Sequence, residues 1–327
     1  MKAKKLISLI LTIALLVTTA FSMSACSNKD KTTSKDSYTI GIVQTLEHDA
    51  LDAATKGFQD ALKERLGSKV TFDYKNAQND SPTCATIVNN FVSNKVDLIL
   101  ANATSALQAA QSGTSTIPVL GTSITDYATA LGMSDWTGKT GTNISGTSDL
   151  APLDKQADML HELFPNAKKV GLLYCSAESN SLYQIDTIQP KLEAYGYTCT
   201  RYSFSDSNDI TSVAQNACKE EVIYIPTDNT AANNTELINN VFSPAGIPVI
   251  AGEKGICKGC GVATLSIDYY DIGYETGKMA YEILVDGKNP GDMEVRSASN
   301  TKKMYNVDLC KALNITVPDD YEAIPAE

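Results

Sequence analysis

Arginine is nearly missing from this chain of 327 residues: only Arg65, Arg201 and Arg296 occur. Phosphates and dicarboxylates are usually met by guanidinium forks, so a strongly anionic ligand is disfavoured. Histidine is scarcer still, at His48 and His161. No His-Glu-x-x-His, Gly-x-Ser-x-Gly or Gly-x-x-x-x-Gly-Lys-Ser/Thr segment is present. The known routes to zinc hydrolysis, serine hydrolysis and P-loop nucleotide binding therefore have no foothold, and no catalytic, metal or cofactor residue is assigned. Positive charge is short overall: 27 Lys and Arg face 38 Asp and Glu, for a net charge of −11. An acidic chain lacks the basic footprint that nucleic-acid binding needs. Long apolar runs are also lacking, with one exception at the N-terminus.

That exception is Leu6 to Phe21, preceded by Lys2, Lys4 and Lys5. It is short for a spanning helix and fits the apolar region of a secretion signal. Met23-Ser24-Ala25-Cys26 follows and resembles a bacterial lipobox; the alternative is an ordinary signal peptide with an incidental cysteine. The resemblance implies cleavage after residue 25 and lipidation of Cys26. Residues 26–37 are polar and aperiodic, and read as the lipidated cysteine and a flexible tether. The working part is then exported and lipid-anchored at the outer face of the bacterial cell membrane.

From Tyr38 onward, short β-rich runs alternate with amphipathic stretches, which predicts parallel α/β layers. Strands are expected at 38–43, 70–74, 96–101 and 117–120. The pattern restarts after about residue 150, with strands expected at 170–174, 198–203, 221–225, 248–250 and 262–267. Gly41-Ile42-Val43 is echoed by Gly171-Leu172-Leu173, and Ile117 to Leu120 by Ile247 to Ile250, both at an offset of 130 residues. The fold class expected is α/β, with two doubly wound parallel-sheet lobes. The N-terminal lobe takes 38–149 plus about 269–292, and the C-terminal lobe 150–268 plus about 293–327. Three hinge crossings fall near Asp149–Leu153, Ile267–Asp268 and Asp292–Ser297.

In such sheets ligands sit beyond the carboxyl ends of the strands. The residues there are rich in hydroxyls and acids. Thr104 and Ser105 open a helix, whose free N–H groups and dipole suit a carboxylate. Glu47, Asp126, Asp228, Glu253 and Asp268 could take an ammonium group. The combination describes an amino-acid zwitterion. For each residue the competing role is a helix cap, which uses the same residue types in the same places. His48 stands near the first-lobe wall, as a local hydrogen bond or a ligand contact; His161 reads as a surface residue. Tyr127, Trp136, Tyr183 and Tyr269 are candidate ring contacts. Two cleft carboxylates could also serve glycoside hydrolysis, the main enzymatic rival. Cys257-Lys-Gly-Cys260 reads as a small bridge or two free thiols, since nothing nearby completes a zinc site.

Taken in order, the run Ile40 to Asp52, Gly57-Phe58, Asn76 to Gln78, Thr122 to Asp126, Glu178 to Ser181, Pro226 to Asn229 and Ile267 to Gly273 resembles the ABC-transporter substrate-binding lipoproteins of the tryptophan/tyrosine type. These are periplasmic-binding-protein-like. The resemblance implies capture of an aromatic amino acid and delivery to a membrane permease and its ATPase. It implies a site drawing on Glu47, Thr104, Ser105, Thr125, Asp126, Glu178, Asn180, Ser181, Thr227, Asp228, Glu253, Asp268 and Tyr269. Two departures lie on the first-lobe wall: Tyr127-Ala128, where relatives commonly carry proline, and Asn102 to Ala106 in place of a commoner Thr-Pro-Ala pattern. The same fold carrying a nucleoside, a sugar or a branched amino acid, or reporting ligand to a receptor, are the alternatives.

Overall fold

A computed structural model describes residues 35–297 and 300–325. The expected secretion signal, the lipobox and Cys26 lie outside the described residues. Tyr38–Gln44 (β1) is followed by the helix Asp49–Leu66 (α1), then Val70–Asn76 (β2), Ser81–Ser93 (α2), Leu98–Asn102 (β3), Thr104–Gly113 (α3), Val119–Ile124 (β4), Tyr127–Leu131 (α4) and Ile144–Ser148 (β5). The second half runs Leu153–Leu163 (α5), Lys169–Cys175 (β6), Ser179–Ala194 (α6), Thr198–Phe204 (β7), Ile210–Ala217 (α7), Val222–Ile225 (β8), Asn229–Ala232 (α8), Thr235–Ala245 (α9), Val249–Ala251 (β9), Lys254–Cys260 (α10) and Ala263–Ser266 (β10). The chain then returns through Tyr269–Leu284 (α11) and Arg296–Ser297 (β11), and finishes with Lys302–Tyr305 (β12), Val307–Ala312 (α12) and Glu322–Ala323 (β13).

Among the described residues the strands form two sheets, ordered β2-β1-β3-β4-β5-β11 and β7-β6-β8-β9-β10-β12-β13. The first is parallel throughout; in the second β12 runs against β10. Each sheet is covered on both faces, which is why its central strands read as unbroken apolar runs. Ile40 and Ile42 pack towards Phe58, Met279 and Ile283, while Val43 and Ile99 pack towards Phe91 and Leu107. The second lobe repeats this, with Val170, Leu172 and Tyr224 on one face and Leu173, Ile223 and Phe242 on the other. The internal repeat is real: β1 to β4 and β6 to β9 occupy matching places in the two strand orders. Its glycines match as well, since a Cβ on Gly41 would strike the Phe91 ring and one on Gly171 would strike Ile223.

The chain passes between the lobes at 149–152, at 267–268 and between Ser297 and Lys302. The third passage lies later than the sequence reading, which began the second lobe at about 293: β11 pairs with β5, and Met293 and Val295 pack against first-lobe residues. The strand β5 escaped sequence reading. Its sequence, Ile-Ser-Gly-Thr-Ser, has no apolar alternation, because Ser145 and Thr147 are buried beside the returning segment, where their hydroxyls meet Met293 O and Thr276 Oγ1.

The returning helix α11 lies so close on α1 that only glycine fits at the crossing. A Cβ on Gly57 would come within 2.1 Å of Tyr270 O, and one on Gly273 within 1.8 Å of Ala54 O. His161 is half-buried, with its ring stacked on Tyr195 at 4.2 Å and Nδ1 3.0 Å from the Tyr197 hydroxyl, a tighter setting than the surface position expected.

Candidate functional site

The strand tips of the two sheets face each other, and their loops touch. His48 Nε2 lies 3.3 Å from Asn229 Oδ1, and Asn79 donates from Nδ2 to Thr230 Oγ1 at 3.1 Å. Lys258 reaches across to Asp49 at 3.5 Å. All three join first-lobe residues to second-lobe residues, so the lobes stand closed on one another.

On the first-lobe wall, α3 opens at Thr104 without a side-chain cap, and Ala103 before it holds a left-handed φ of 79°. Thr104 is buried and Ser105 half-buried. Helix starts leave backbone N–H groups unpaired, so this end keeps donors that a capped helix would have spent. Its neighbours are spent: Asp126 caps α4 through Thr129 N, Asp228 caps α8 through Ala231 N, Glu253 caps α10 through Gly255 N and Ile256 N, and Asp268 caps α11 through Tyr270 N and Asp271 N. Asp268 is exposed, as is Glu47, which accepts from the Tyr74 hydroxyl at 3.2 Å. Behind the first-lobe wall, Gln44, Thr55 and Asn102 form a buried hydrogen-bonded cluster that fastens α1 to the tips of β1 and β3.

The second-lobe wall is a single network. Glu178 accepts from Asn180 Nδ2, from the backbone and side chain of Asn229, and from the backbone and hydroxyl of Thr230, all at 2.7–3.0 Å. Asp228 accepts from Cys175 N and from the Ser181 hydroxyl. Asn180 and Gln184 both donate to Thr227 O. Burial first, and the Glu178 charge second, push the Asp228 carboxyl up to about 7. Thus Glu178, Asn180, Ser181, Thr227 and Asp228 stand together, and most of their hydrogen-bonding capacity is turned towards one another.

One acid that the sequence reading places at a hinge crossing, and not in the site, stands at the first passage between lobes. Asp149, only 3% exposed, accepts the Tyr269 hydroxyl on Oδ2 at 2.9 Å. Its Oδ1 has no hydrogen-bond partner. Burial pushes this carboxyl up to about 6; the nearby Tyr269 and Thr125 hydroxyls hold it down in part, and the Glu253 charge adds a smaller push upward. Tyr269 is buried, and its hydroxyl lies between Asp149 and the Thr227 side chain. Glu253 is likewise raised by burial, and His48 opposes that shift in part. Asp149, Thr125, Tyr269, Thr227, Glu253 and His48 therefore converge where the hinge meets both walls.

The aromatic candidates divide. Tyr127 is buried, with its hydroxyl bonded to Gly121 O and Thr147 O, so it serves first-lobe packing. Trp136 stacks on it at 6.2 Å and stays partly exposed. Tyr183 of α6 is half-buried, near enough to Asp126 of the other lobe for that charge to add to the rise that burial causes. The three arginines are engaged elsewhere: Arg296 with Glu275 and Glu282, Arg201 with Asp186, and Arg65 over the Tyr281 ring. All seven cysteines from Cys84 to Cys310 are free thiols, Cys257 and Cys260 among them. A cavity of about 790 Å³ opens beside the hinge, between the start of α1 and α10, lined by Asp49, Glu253, Lys258, Asp268, Tyr269 and Lys302 among others; it meets the converging cluster at Glu253 and Tyr269 and does not reach the α3 wall.

Comparison with known proteins agrees with this architecture. Residues 39–327 match the ABC transporter substrate binding protein family. The chain is 36% identical over 327 residues to a tyrosine-binding protein of Clostridioides difficile, covering 96% of this chain and 93% of the relative. Among solved structures, a Streptococcus pneumoniae domain in complex with L-Trp aligns with a TM-score of 0.82 at 31% identity, over 87% of this chain and all of that one. The ligand-free, open structure of a C. difficile substrate-binding protein with adhesive properties aligns at 0.68, although its identity is higher, 35%, over 89% and 100% of the two chains. A lower score at higher identity points to a different disposition of the lobes rather than a different fold, and agrees with the direct contacts that close this cleft. Sugar-binding proteins at 15% identity or below share the fold alone. Members of such a family work outside the cytoplasm, and among the described residues no helix is long and apolar enough to cross a membrane. With the two-lobed α/β fold, the cleft at the strand tips and the match across residues 39–327, the chain belongs to the ABC transporter substrate-binding protein family.

Proposed function

We propose that this protein captures an aromatic L-amino acid between its lobes and delivers it to the permease and ATPase subunits of an ABC importer. The observation that carries the reading is the polarity of the cleft: an uncapped helix start at Thr104–Ser105 on one wall, buried carboxylates at the hinge, and no arginine at either. Free helix N–H groups favour a carboxylate, and buried acids favour a cation. A dipolar guest satisfies both, whereas a sugar satisfies neither. The relatives that bind tyrosine and L-Trp support an aromatic side chain, with Tyr183 and Trp136 available as ring contacts. Glu178, Asn180, Ser181 and Asp228 shape the second wall, and closure follows because the bridging ligand binds the closed form better than the open one.

A thermal-shift screen of the twenty amino acids, nucleosides and sugars is expected to show stabilisation by L-Tyr, L-Trp or L-Phe and by no sugar. A nucleoside that raises the midpoint while the three aromatics leave it unmoved would defeat the reading.

The same proposal holds the protein at the outer face of the bacterial membrane through lipid on Cys26. Cys26→Ser is expected to move the protein from the membrane fraction into the soluble exported fraction. Undiminished sedimentation with membranes would remove the anchor.

A further inference from the structure

The cavity of about 790 Å³ beside the hinge has a chemistry of its own. Its size is that of a small-molecule site. The first lobe supplies α1 and α11 to its walls, the second supplies α10, β12 and β13, and the second and third passages between lobes run along it. Its floor is apolar. Ala50, Ile267, Tyr269 and Ile272 are buried in one cluster, and Ala53 packs against them. The alanines add little bulk from the α1 side, which leaves space for a ring. Its rim is charged, with six Asp and Glu against four lysines. Three of those lysines already have acids: Lys258 reaches Asp49 at 3.5 Å, Lys278 reaches Glu275 at 2.7 Å and Lys302 reaches Glu322 at 3.0 Å. Lys254 is left to balance Glu253, Asp268 and Asp271. Glu253 and Asp268 are engaged as helix caps. Asp271 is exposed, and among the described residues no donor meets its carboxylate.

We propose that this cavity is a second ligand site, separate from the cargo cleft, which takes a small arylalkyl amine without a carboxylate: its ring lies on the floor at Ala53 and Ile272, and its ammonium group meets Asp271. Asp268 and Asp271, three residues apart at the start of α11, share a helix face and repel one another, and a cation beside them relieves that repulsion. Two positive charges oppose the guest. The α11 dipole contributes about half a charge and Lys254 a whole one. The two carboxylates outweigh them together, and any charge on Glu253 adds to the acids. A carboxylate has no seat here. α10 and α11 reach the cavity with their starts capped, and α1, which starts uncapped, carries Asp49 and Asp52 in its first turn. The cargo cleft differs on this point, because α3 opens uncapped and with no acid in its first turn. The cleft therefore selects a zwitterion and the cavity an amine alone. Because the cavity walls come from both lobes, its guest is held only while the lobes keep this spacing, so amine and cargo support one another's binding.

The probe is tyramine, which is tyrosine without its carboxylate, titrated by NMR into the full exported chain with and without saturating L-Tyr. Tyramine is expected to bind with a dissociation constant on the order of a millimolar, whether or not L-Tyr is present. Two comparison probes keep the ring and change the charge: 4-ethylphenol is neutral, and 3-(4-hydroxyphenyl)propionate is an anion. Both are expected to bind about fivefold more weakly or worse. Asp271→Asn should cost tyramine about fivefold. Ala53→Leu fills the floor and should abolish its binding, while Lys254→Gln should tighten it. All three variants should bind L-Tyr as the parent does. Displacement of tyramine by L-Tyr would place it in the cargo cleft and overturn the proposal. Equal binding of the three probes would do the same, as would tyramine binding that survives both Ala53→Leu and Asp271→Asn unchanged. If L-Tyr does not bind at all, the aromatic reading of the cleft falls, and the response of tyramine to the variants still decides the cavity.

Discussion

Gly273→Val is expected to lower the unfolding free energy by about 3 kcal/mol and to weaken ligand binding in whatever fraction still folds. The added Cβ would lie 1.8 Å from Ala54 O and 2.6 Å from Ala54 C. Both are backbone atoms of a helix interior, so no side chain can rotate to make room. The two helices must move apart by more than ~1 Å to restore van der Waals contact, which opens the packing of Phe58 against Met279 and Ala280. The same displacement reaches the cleft, because α11 begins with Tyr269, whose hydroxyl holds Asp149. Gly277→Ala offers a graded comparison. Its Cβ would meet the Ala61 Cβ at 2.6 Å and Phe58 O at 2.7 Å, a less severe conflict. Chemical denaturation of the three proteins should rank them wild type, Gly277→Ala, Gly273→Val in falling stability. A Gly273→Val midpoint equal to the parent's would show that the helix pair is looser than described.

These glycines illustrate what sequence could and could not disclose. Gly57 and Gly273 were visible as parts of a family pattern, yet nothing in the chain says that they face each other's helices; that needs the return of α11 to the first lobe. The central strands β1, β3, β4, β6, β8, β9 and β10 announced themselves because a covered parallel sheet demands apolar residues on both faces, whereas the edge strands β2 and β7 are only partly buried. β5 did not, because its buried partners are hydroxyls bonded to the returning segment. Without β5, Asp149 reads as a hinge residue and not as a strand-tip acid. The rule that ligands gather at strand tips reaches only strands that the sequence discloses, and an acid at the tip of an undisclosed strand lies outside it. The reverse error is shown by the capping acids. Asp268 lies after a strand and before a helix, as the rule requires, but it is exposed and its carboxylate is taken by α11. Composition cannot separate a cap from a ligand group, since both tasks call for a short polar acceptor before a helix. Burial with an unspent oxygen separates them, and only the assembled fold supplies it.

Glu178→Ala should be the most damaging single change on the second wall, at about 3 kcal/mol of stability, and should also weaken ligand binding. The carboxylate collects five donors from Asn180, Asn229 and Thr230. Removing it leaves Thr230 N and Asn229 N without their acceptor in a wall with little water access, while Asn180 keeps its bond to Thr227 O. One effect opposes this: Asp228 loses a like-charged neighbour that helps to raise its pKa. That relief is the smaller, because burial is the first cause of the Asp228 shift and remains after the change. Function suffers through the latch. Asn229 and Thr230 are the residues that meet His48 and Asn79 across the cleft, and Glu178 is what orients them. The ligand-free protein should therefore lose stability, and ligand affinity should fall with it even though Glu178 has few acceptor sites left for a ligand. Glu178→Gln keeps the size and one acceptor oxygen while relieving Asp228, so it should fall between the parent and alanine in both measurements. If Glu178→Ala left the ligand-free unfolding midpoint unchanged and reduced affinity alone, the carboxylate would be contacting cargo rather than holding the wall, and the second-lobe half of the site would have to be redrawn around it.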